Sequence, residues 1–297
     1  MTTPKKQKSA PMPPPLPEDL GLHEGQSLEL LKELHILTRE GRLNQDSRRK
    51  LKQVYHLYQF IEPLLEEVLS RQQTLTLADH GAGKSYLGFI LYDLFCRPRA
   101  NGKIYGIETR QPLVERSRTL AEHFGFSGTD CTGMHFVNTT VDESRGNPDL
   151  PERFDIVTAL HACNTATDDA IRFALEKKAH HIVLVPCCQA EVAATLRKHK
   201  NTSLSQTSLS ELWRHPIHSR ELGSHLTNVL RCLLLESQGY KVTVTELVGW
   251  EHSMKNELIL ASLNHGTHGQ PRKNAKIRAQ EILKSFHLED LHDRFII

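Results

Sequence analysis

A short apolar run, a glycine-rich turn and the first turn of an amphipathic helix follow one another in Leu75-Thr-Leu-Ala-Asp79-His-Gly81-Ala-Gly83-Lys84-Ser85-Tyr-Leu87. This order constrains the chain more than any other feature. A strand, tight turn and helix in succession are how a parallel α/β sheet cradles a nucleotide-like ligand at its carboxyl edge. Two registers fit. From Ala78 the stretch is Ala-x4-Gly-Lys-Ser, a relaxed phosphate-binding loop. From Asp79 it is Asp-x-Gly-x-Gly.

The phosphate register would use Lys84 for the phosphates and Ser85 for a magnesium ion. Its strict first glycine is missing, because residue 78 is Ala. It also needs a second acid at the end of another apolar strand. The later runs end instead in Ala159-Leu-His161-Ala-Cys163 and Val185-Pro186-Cys187-Cys188.

The Asp79 register finds partners downstream. Leu87, Ile90, Leu91 and Leu94 follow at helix spacing. A second strand, Lys103-Ile-Tyr-Gly-Ile-Glu108, ends in a carboxylate where a ribose diol would lie. A third, Met134-His-Phe-Val137, runs toward Asp142, which could accept from an adenine amino group. A solvated loop end explains any one of these acids. Three acids at three successive strand ends (Asp79, Glu108, Asp142) point to an adenosyl ligand. A nicotinamide dinucleotide would also use Glu108 but calls for a third glycine where Tyr86 stands.

The rest of the chain is consistent with an α/β enzyme. Its 297 residues allow one large domain with extensions or two small ones, and 38% hydrophobic residues suffice for a core. No apolar run approaches the ~20 residues of a bilayer span, and Met1-Thr-Thr-Pro-Lys-Lys-Gln-Lys has no signal core. A cytoplasmic protein without membrane contact is expected. The six cysteines lack a paired framework and are expected to be reduced thiols. A net charge of +2 does not by itself argue for nucleic acid. Oligomeric state is not legible.

Four parts are expected: a Pro- and Lys-rich disordered tail, 1–24; a helical extension, 25–70; an alternating strand–helix domain, 71–264; and a linker with a basic helix, 265–297. Leu28, Leu31 and Leu34 mark one helix face in the extension. Leu51, Val54, Leu57, Tyr58, Ile61, Leu64 and Leu65 mark another. In the domain, Phe154–Ala159 reads as a fourth strand and His181–Val185 as a fifth. Thr167-Asp168-Asp169 opens a helix between them, its acids suited to the helix dipole. A long helix from Ser219 ends at Gly239, and the runs Lys241–Val248 and Glu257–Leu263 pair.

From about residue 50 to 264 the chain resembles a class I S-adenosylmethionine-dependent methyltransferase. More narrowly, it resembles the branch with His161-Ala162-Cys163 after the fourth strand and Pro186-Cys187-Cys188 after the fifth. The Glu251-His252-Ser-Met-Lys255-Asn256 turn also looks like that branch. The resemblance implies a Rossmann-like seven-stranded sheet whose last strand is antiparallel. It implies S-adenosylmethionine contacts at Asp79, Gly81, Ala82, Gly83, Lys84, Glu108, Asp142, His161 and Ala162. The chain departs from the commoner loop in having Ser85 where a third glycine often sits.

Methyl transfer is a displacement at a sulfonium carbon, so the protein mainly aligns the acceptor and, where needed, removes its proton. Acceptor-side residues belong after strands four and five, and the catalytic candidates are His161, Cys187 and Cys188. The cysteines either shape the pocket or supply a thiolate that attacks a pyrimidine ring, activated by a following helix N-terminus. His161 is either a general base or a wall of the cofactor pocket. A metal set of Cys163, Cys187, Cys188 and a histidine lacks Cys-x2-Cys spacing, and no metal ligand is assigned. Basic clusters at Arg48, Arg49, Lys50 and Lys52, at Arg214 and Arg220, and at Arg272, Lys273, Lys276 and Arg278 suit RNA phosphates. Each also reads as a solvated helix face. RNA, ribosomal or transfer, is the expected acceptor and partner. A protein side chain or small molecule is the alternative, and an inactive cofactor- or RNA-binding module or a P-loop protein is the reading from a different class.

Overall fold

The computed structural model describes residues 21–128, 131–140, 143–144, 146–160, 162, 164–186, 189–198, 208–247, 257–264, 266 and 269–297. The chain divides into two units, Met1–Lys52 and Gln53–Ile297. The first holds helix α1 (Leu28–Glu33), capped by Ser27, whose hydroxyl accepts from the Leu30 amide at 3.2 Å. Leu30, Leu31 and Leu34 are buried and Leu28 only half-buried, so the apolar face is rotated from the expected one. Helix α2 (Gln45–Arg71) begins in this unit and continues into the second. Its buried stripe of Leu51, Val54, Leu57, Tyr58, Ile61, Leu65 and Val68 follows the 3.6-residue period.

The second unit alternates strands and helices. Strand β1 (Thr76–His80) leads into α3 (Tyr86–Leu91), which continues through a π-turn, Tyr92–Cys96, and a last turn, Arg97–Arg99. There follow β2 (Gly102–Glu108), α4 (Gln111–His123), β3 (Thr132–Asn138), β4 (Ile156–Leu160), α5 (Thr165–Glu176) and β5 (His181–Val185). The chain closes with α6 (Glu191–Lys198), α7 (Pro216–Ser237), β6 (Tyr240–Glu246), β7 (Glu257–Leu263), α8 (Gln270–Ser285) and α9 (His292–Phe295). The long helix α7 starts at Pro216, three residues before Ser219. A Pro at N1 is preorganised there, and Gly239 at φ +92° ends it.

The seven strands form one sheet in the order β3-β2-β1-β4-β5-β7-β6. β1 to β5 are parallel, and β7 runs antiparallel to both β5 and β6. This is the expected Rossmann-like sheet, with the order reversing between β1 and β4. Ligands of open α/β sheets bind at the carboxyl edge beside that reversal. The central strands are apolar on both faces because helices cover both sides. All five residues of β5 are buried, while edge strand β6 exposes Lys241, Thr243 and Val244. A second cluster of Val192, Leu196, Leu226, Leu230, Ala275, Leu283 and Phe295 joins α6, α7, α8 and α9. No helix among the described residues is long and apolar enough to cross a membrane.

Candidate functional site

The glycine turn is fixed to the end of β2 by its backbone. The amides of Gly81 and Ala82 both donate to the Ile107 carbonyl, at 2.9 and 3.1 Å. Gly81 and Gly83 have φ of +68° and +57°, left-handed values that glycine adopts without steric cost. The Gly83 amide donates to Glu108 Oε2 at 2.8 Å, so the carboxylate at the end of β2 holds the turn over the sheet. Asp79 is buried at the end of β1 and accepts from the Thr158 hydroxyl at 3.0 Å. Burial pushes its carboxyl up to about 7, against the hydrogen bonds from Thr158 and the Gly88 backbone. Ala162 is buried opposite the turn, its Cβ in van der Waals reach of the Gly81 position.

Arg110, which no sequence motif singles out, dominates the surroundings of Glu108. Its Nε and Nη2 donate to the two carboxylate oxygens at 2.9 and 3.1 Å, and its amide to Oε1 at 3.0 Å. Burial would raise the Glu108 carboxyl. The Arg110 side chain and the Arg110 and Gly83 amides outweigh it and hold the group at about 2. Two-thirds of the Arg110 side chain is exposed, so the guanidinium can swing away from the carboxylate. Asn138 braces the strand end from β3, its amide nitrogen donating to the Glu108 and Thr109 carbonyls. The only local signal for Arg110 is its place two residues after an acid that ends a strand.

Ser85 decides between the two registers. It is fully buried, and its hydroxyl oxygen has no hydrogen-bond partner. The hydroxyl points at Gly88 inside α3, where an added Cβ would come within 2.6 Å of it. A phosphate loop needs that hydroxyl on the ligand side for magnesium, so the phosphate register has no hydroxyl to offer the metal. Lys84, beside it, is exposed. Ser85 has φ +53°, which explains why the commoner loop carries glycine here. Ser85→Gly should stabilise the protein, because left-handed backbone costs an L-residue about 1–2 kcal/mol and a buried orphan hydroxyl disappears. Denaturant unfolding measures this; an unchanged or lower midpoint counts against stored strain.

A buried polar network frames the chain after β4 and β5. Arg231 on α7 is 1% exposed and reaches three acceptors. These are Asp168 Oδ1 at 2.6 Å, Asn228 Oδ1 at 3.1 Å and the Asn164 carbonyl at 2.8 Å. Asn164 also accepts from the Ala190 amide at 3.1 Å, tying the two segments together. Gln189 donates to Asn228 at 3.0 Å and accepts from Ser224 at 2.6 Å. Asn164 has φ +50°. Such a conformation persists where surrounding bonds over-determine it, and these bonds do so. Asp168, expected to serve the dipole of α5, is thus the partner of a buried cation. Helix α5 also begins two residues earlier than Thr167.

The structure brings together Asp79, Gly81, Ala82, Gly83, Glu108 and Ala162 at one sheet edge. Asp142, His161, Cys163, Cys187, Cys188 and the Glu251–Asn256 turn lie outside the described residues.

Residues 49–195 match a family model described as a methyltransferase domain. No relative among curated proteins is found by sequence similarity. Among solved structures, the chain is similar to an rRNA methylase from Streptococcus thermophilus. The identity is 10% and the TM-score 0.40, over 68% of this chain and 93% of that one. It is similar to magnesium protoporphyrin IX methyltransferase from Synechocystis PCC 6803 with bound SAM, with 10% identity and a TM-score of 0.43, over 82% and 100%. A SAM-dependent methyltransferase from Aquifex aeolicus gives 14% identity and a TM-score of 0.38, over 69% and 93%.

The sheet order and the matched domain define a class I methyltransferase fold. The matched segment is a methyltransferase domain, and the ligand expected of one is S-adenosylmethionine. The residues fit that ligand. A buried anionic acceptor stands at the end of β2 for a diol, and the glycine turn offers backbone close by.

Proposed function

We propose that this enzyme methylates RNA, and that its cofactor lies across the turn at Gly81–Lys84. In this reading Glu108 accepts from the ribose hydroxyls, Asp79 faces the methionine end, and Asp142, His161 and Ala162 flank the adenosine. The cofactor supplies an electrophilic methyl on a sulfonium; the chain's own residues bind, orient and exclude water. Glu108→Ala should weaken cofactor binding by about 1–3 kcal/mol, the scale of lost hydrogen bonds to a charged group. Calorimetric titration with S-adenosylhomocysteine measures it, and an unchanged Kd removes Glu108 from the site.

The observation that carries the RNA reading is the run Arg48, Arg49, Lys50 and Lys52, all exposed on the first turns of α2. Clustered cations on one helix suit a phosphate backbone. The C-terminal basic helix supports the reading less. Lys276 bonds the Ile297 carbonyl at 2.9 Å, Arg278 pairs with Glu236 at 2.6 Å, and Arg272 lies against Gly239. Arg214 and Arg220 likewise pair with Glu211 and Glu221. Neutralising the four α2 cations should weaken RNA binding. It should also flatten the salt dependence by roughly 0.7 in log–log slope for every single-strand phosphate that is no longer neutralised. An unaltered slope, or labelled methyl appearing in protein or a small molecule instead of RNA, sinks this reading. Cys187 and Cys188 follow β5 in sequence and are proposed on the acceptor side, and His161, after β4, is proposed where the cofactor and the acceptor meet. Methylation by a C187A/C188A variant tests whether either thiol takes part.

A further inference from the structure

The edge of the sheet away from the glycine turn carries a second group of chemically competent side chains. His181 opens β5, His180 immediately precedes it, and Glu67 lies near the end of α2. One ligand atom from each lies within 4.8 Å of the others. The Glu67 oxygens are 3.9 Å from His180 Nε2 and 3.8 Å from His181 Nε2. The His181 side chain is fully buried, and its Nε2 has no hydrogen-bond partner. Its other nitrogen, Nδ1, is 2.8 Å from the Ser262 hydroxyl on the paired strand β7. That contact fixes the ring with Nε2 toward Glu67.

We propose that Glu67, His180 and His181 bind a divalent transition-metal cation of the zinc class. Two imidazoles and a carboxylate are a donor set that zinc accepts, with bonds of roughly 2.0–2.2 Å. Tetrahedral neighbours at such bonds stand roughly 3.3 Å apart, so small rotations of Glu67 and His180 close the set. Both are partly exposed, which leaves the ion an entry path. The remote nitrogen of a ligating histidine usually donates to an outer carboxylate, carbonyl or water, and here the Ser262 hydroxyl takes that place. The site would clip the end of α2 to β5 and so serve the fold rather than methyl transfer.

Arg71 stands in the way and marks the place. Its guanidinium is 2.7 Å from Glu67 Oε1 and 3.0 Å from His180 Nε2. The same pocket of lone pairs thus already attracts a cation. Arg71 is 59% exposed and able to swing out, and a dication would displace it.

The test uses the full chain, stripped with a chelator and titrated with Zn²⁺, Co²⁺ and Mg²⁺. Calorimetry is read alongside the visible ligand-field bands of Co²⁺. The expected result is one Zn²⁺ or Co²⁺ site with tetrahedral-type bands. Glu67→Gln and His180→Gln should each weaken it at least tenfold. Ser262→Ala should weaken it about tenfold, and Arg71→Ala should tighten it by a similar factor. His180 and Arg71 are partly exposed, so those variants should fold. Binding of Mg²⁺ alone, equal Co²⁺ binding by parent and His180→Gln, or no Co²⁺ binding by Arg71→Ala overturns the proposal. Cofactor titration of the same samples is independent of the outcome.

Discussion

Arg231→Leu is expected to destabilise the protein by about 3–5 kcal/mol, the range for removing one partner of a buried ion pair. The reason is what remains behind. Among the described residues, Asp168 is then left with Arg294, 3.3 Å away, as its counter-ion. The Asn164 carbonyl and Asn228 Oδ1 are each deprived of a donor. In a unit of this size the melting temperature should fall on the order of 10 °C. Asp168→Asn in the same chain should recover part of the loss, because the uncompensated charge is then gone. A single variant that loses less than about 1 kcal/mol would show the pair to be unimportant. So would a double variant worse than the sum of its parts. The effect should also reach the site. Asn164 is held at positive φ by these bonds, and it connects the ends of β4 and β5.

The second large effect is on the cofactor. Gly81→Val should abolish measurable binding of S-adenosylmethionine while leaving the sheet folded. At φ +68° a β-branched residue is a steric outlier. The modest 3.8 Å approach of an added Cβ to Ala162 shows that the protein itself has room for one carbon. The damage therefore comes from backbone strain of about 1–2 kcal/mol and from branching atoms in the ligand's place. Gly81→Ala should be milder, retaining weakened binding. Full affinity in the Val variant would remove the turn from the cofactor site. Circular dichroism and melting curves separate that outcome from unfolding.

Much of the fold was legible because local physics sets it. β5 and β7 have the boundaries that their apolar runs suggested. In each case turn residues or charges end the run. The strand–turn–helix at Asp79–Ser85 was legible for the same reason, since glycine spacing and hydrophobic period are properties of a dozen neighbouring residues. The order of alternating elements then carried the expectation of a seven-stranded sheet with one antiparallel strand, and the topology agrees. Strand ends shifted by one or two residues, as at β4, which starts at Ile156 rather than Phe154.

What the chain did not disclose depends on contacts between distant residues. Arg231 and Asp168 are 63 positions apart, and Glu67 and His181 are 114 apart; no local pattern marks either pair. Asp168 read as an ordinary helix-dipole acid until α7 placed a buried guanidinium beside it. Ser85 read as a hydroxyl available to a ligand until the helix direction turned it inward at positive φ. The sequence by itself determined the order of elements and the chemistry at the strand ends, because hydrophobic period and turn residues act over a few bonds. Only the tertiary structure decided which charges are buried together and which way the Ser85 hydroxyl points. Those follow from burial and distance, which neighbours in the chain do not set.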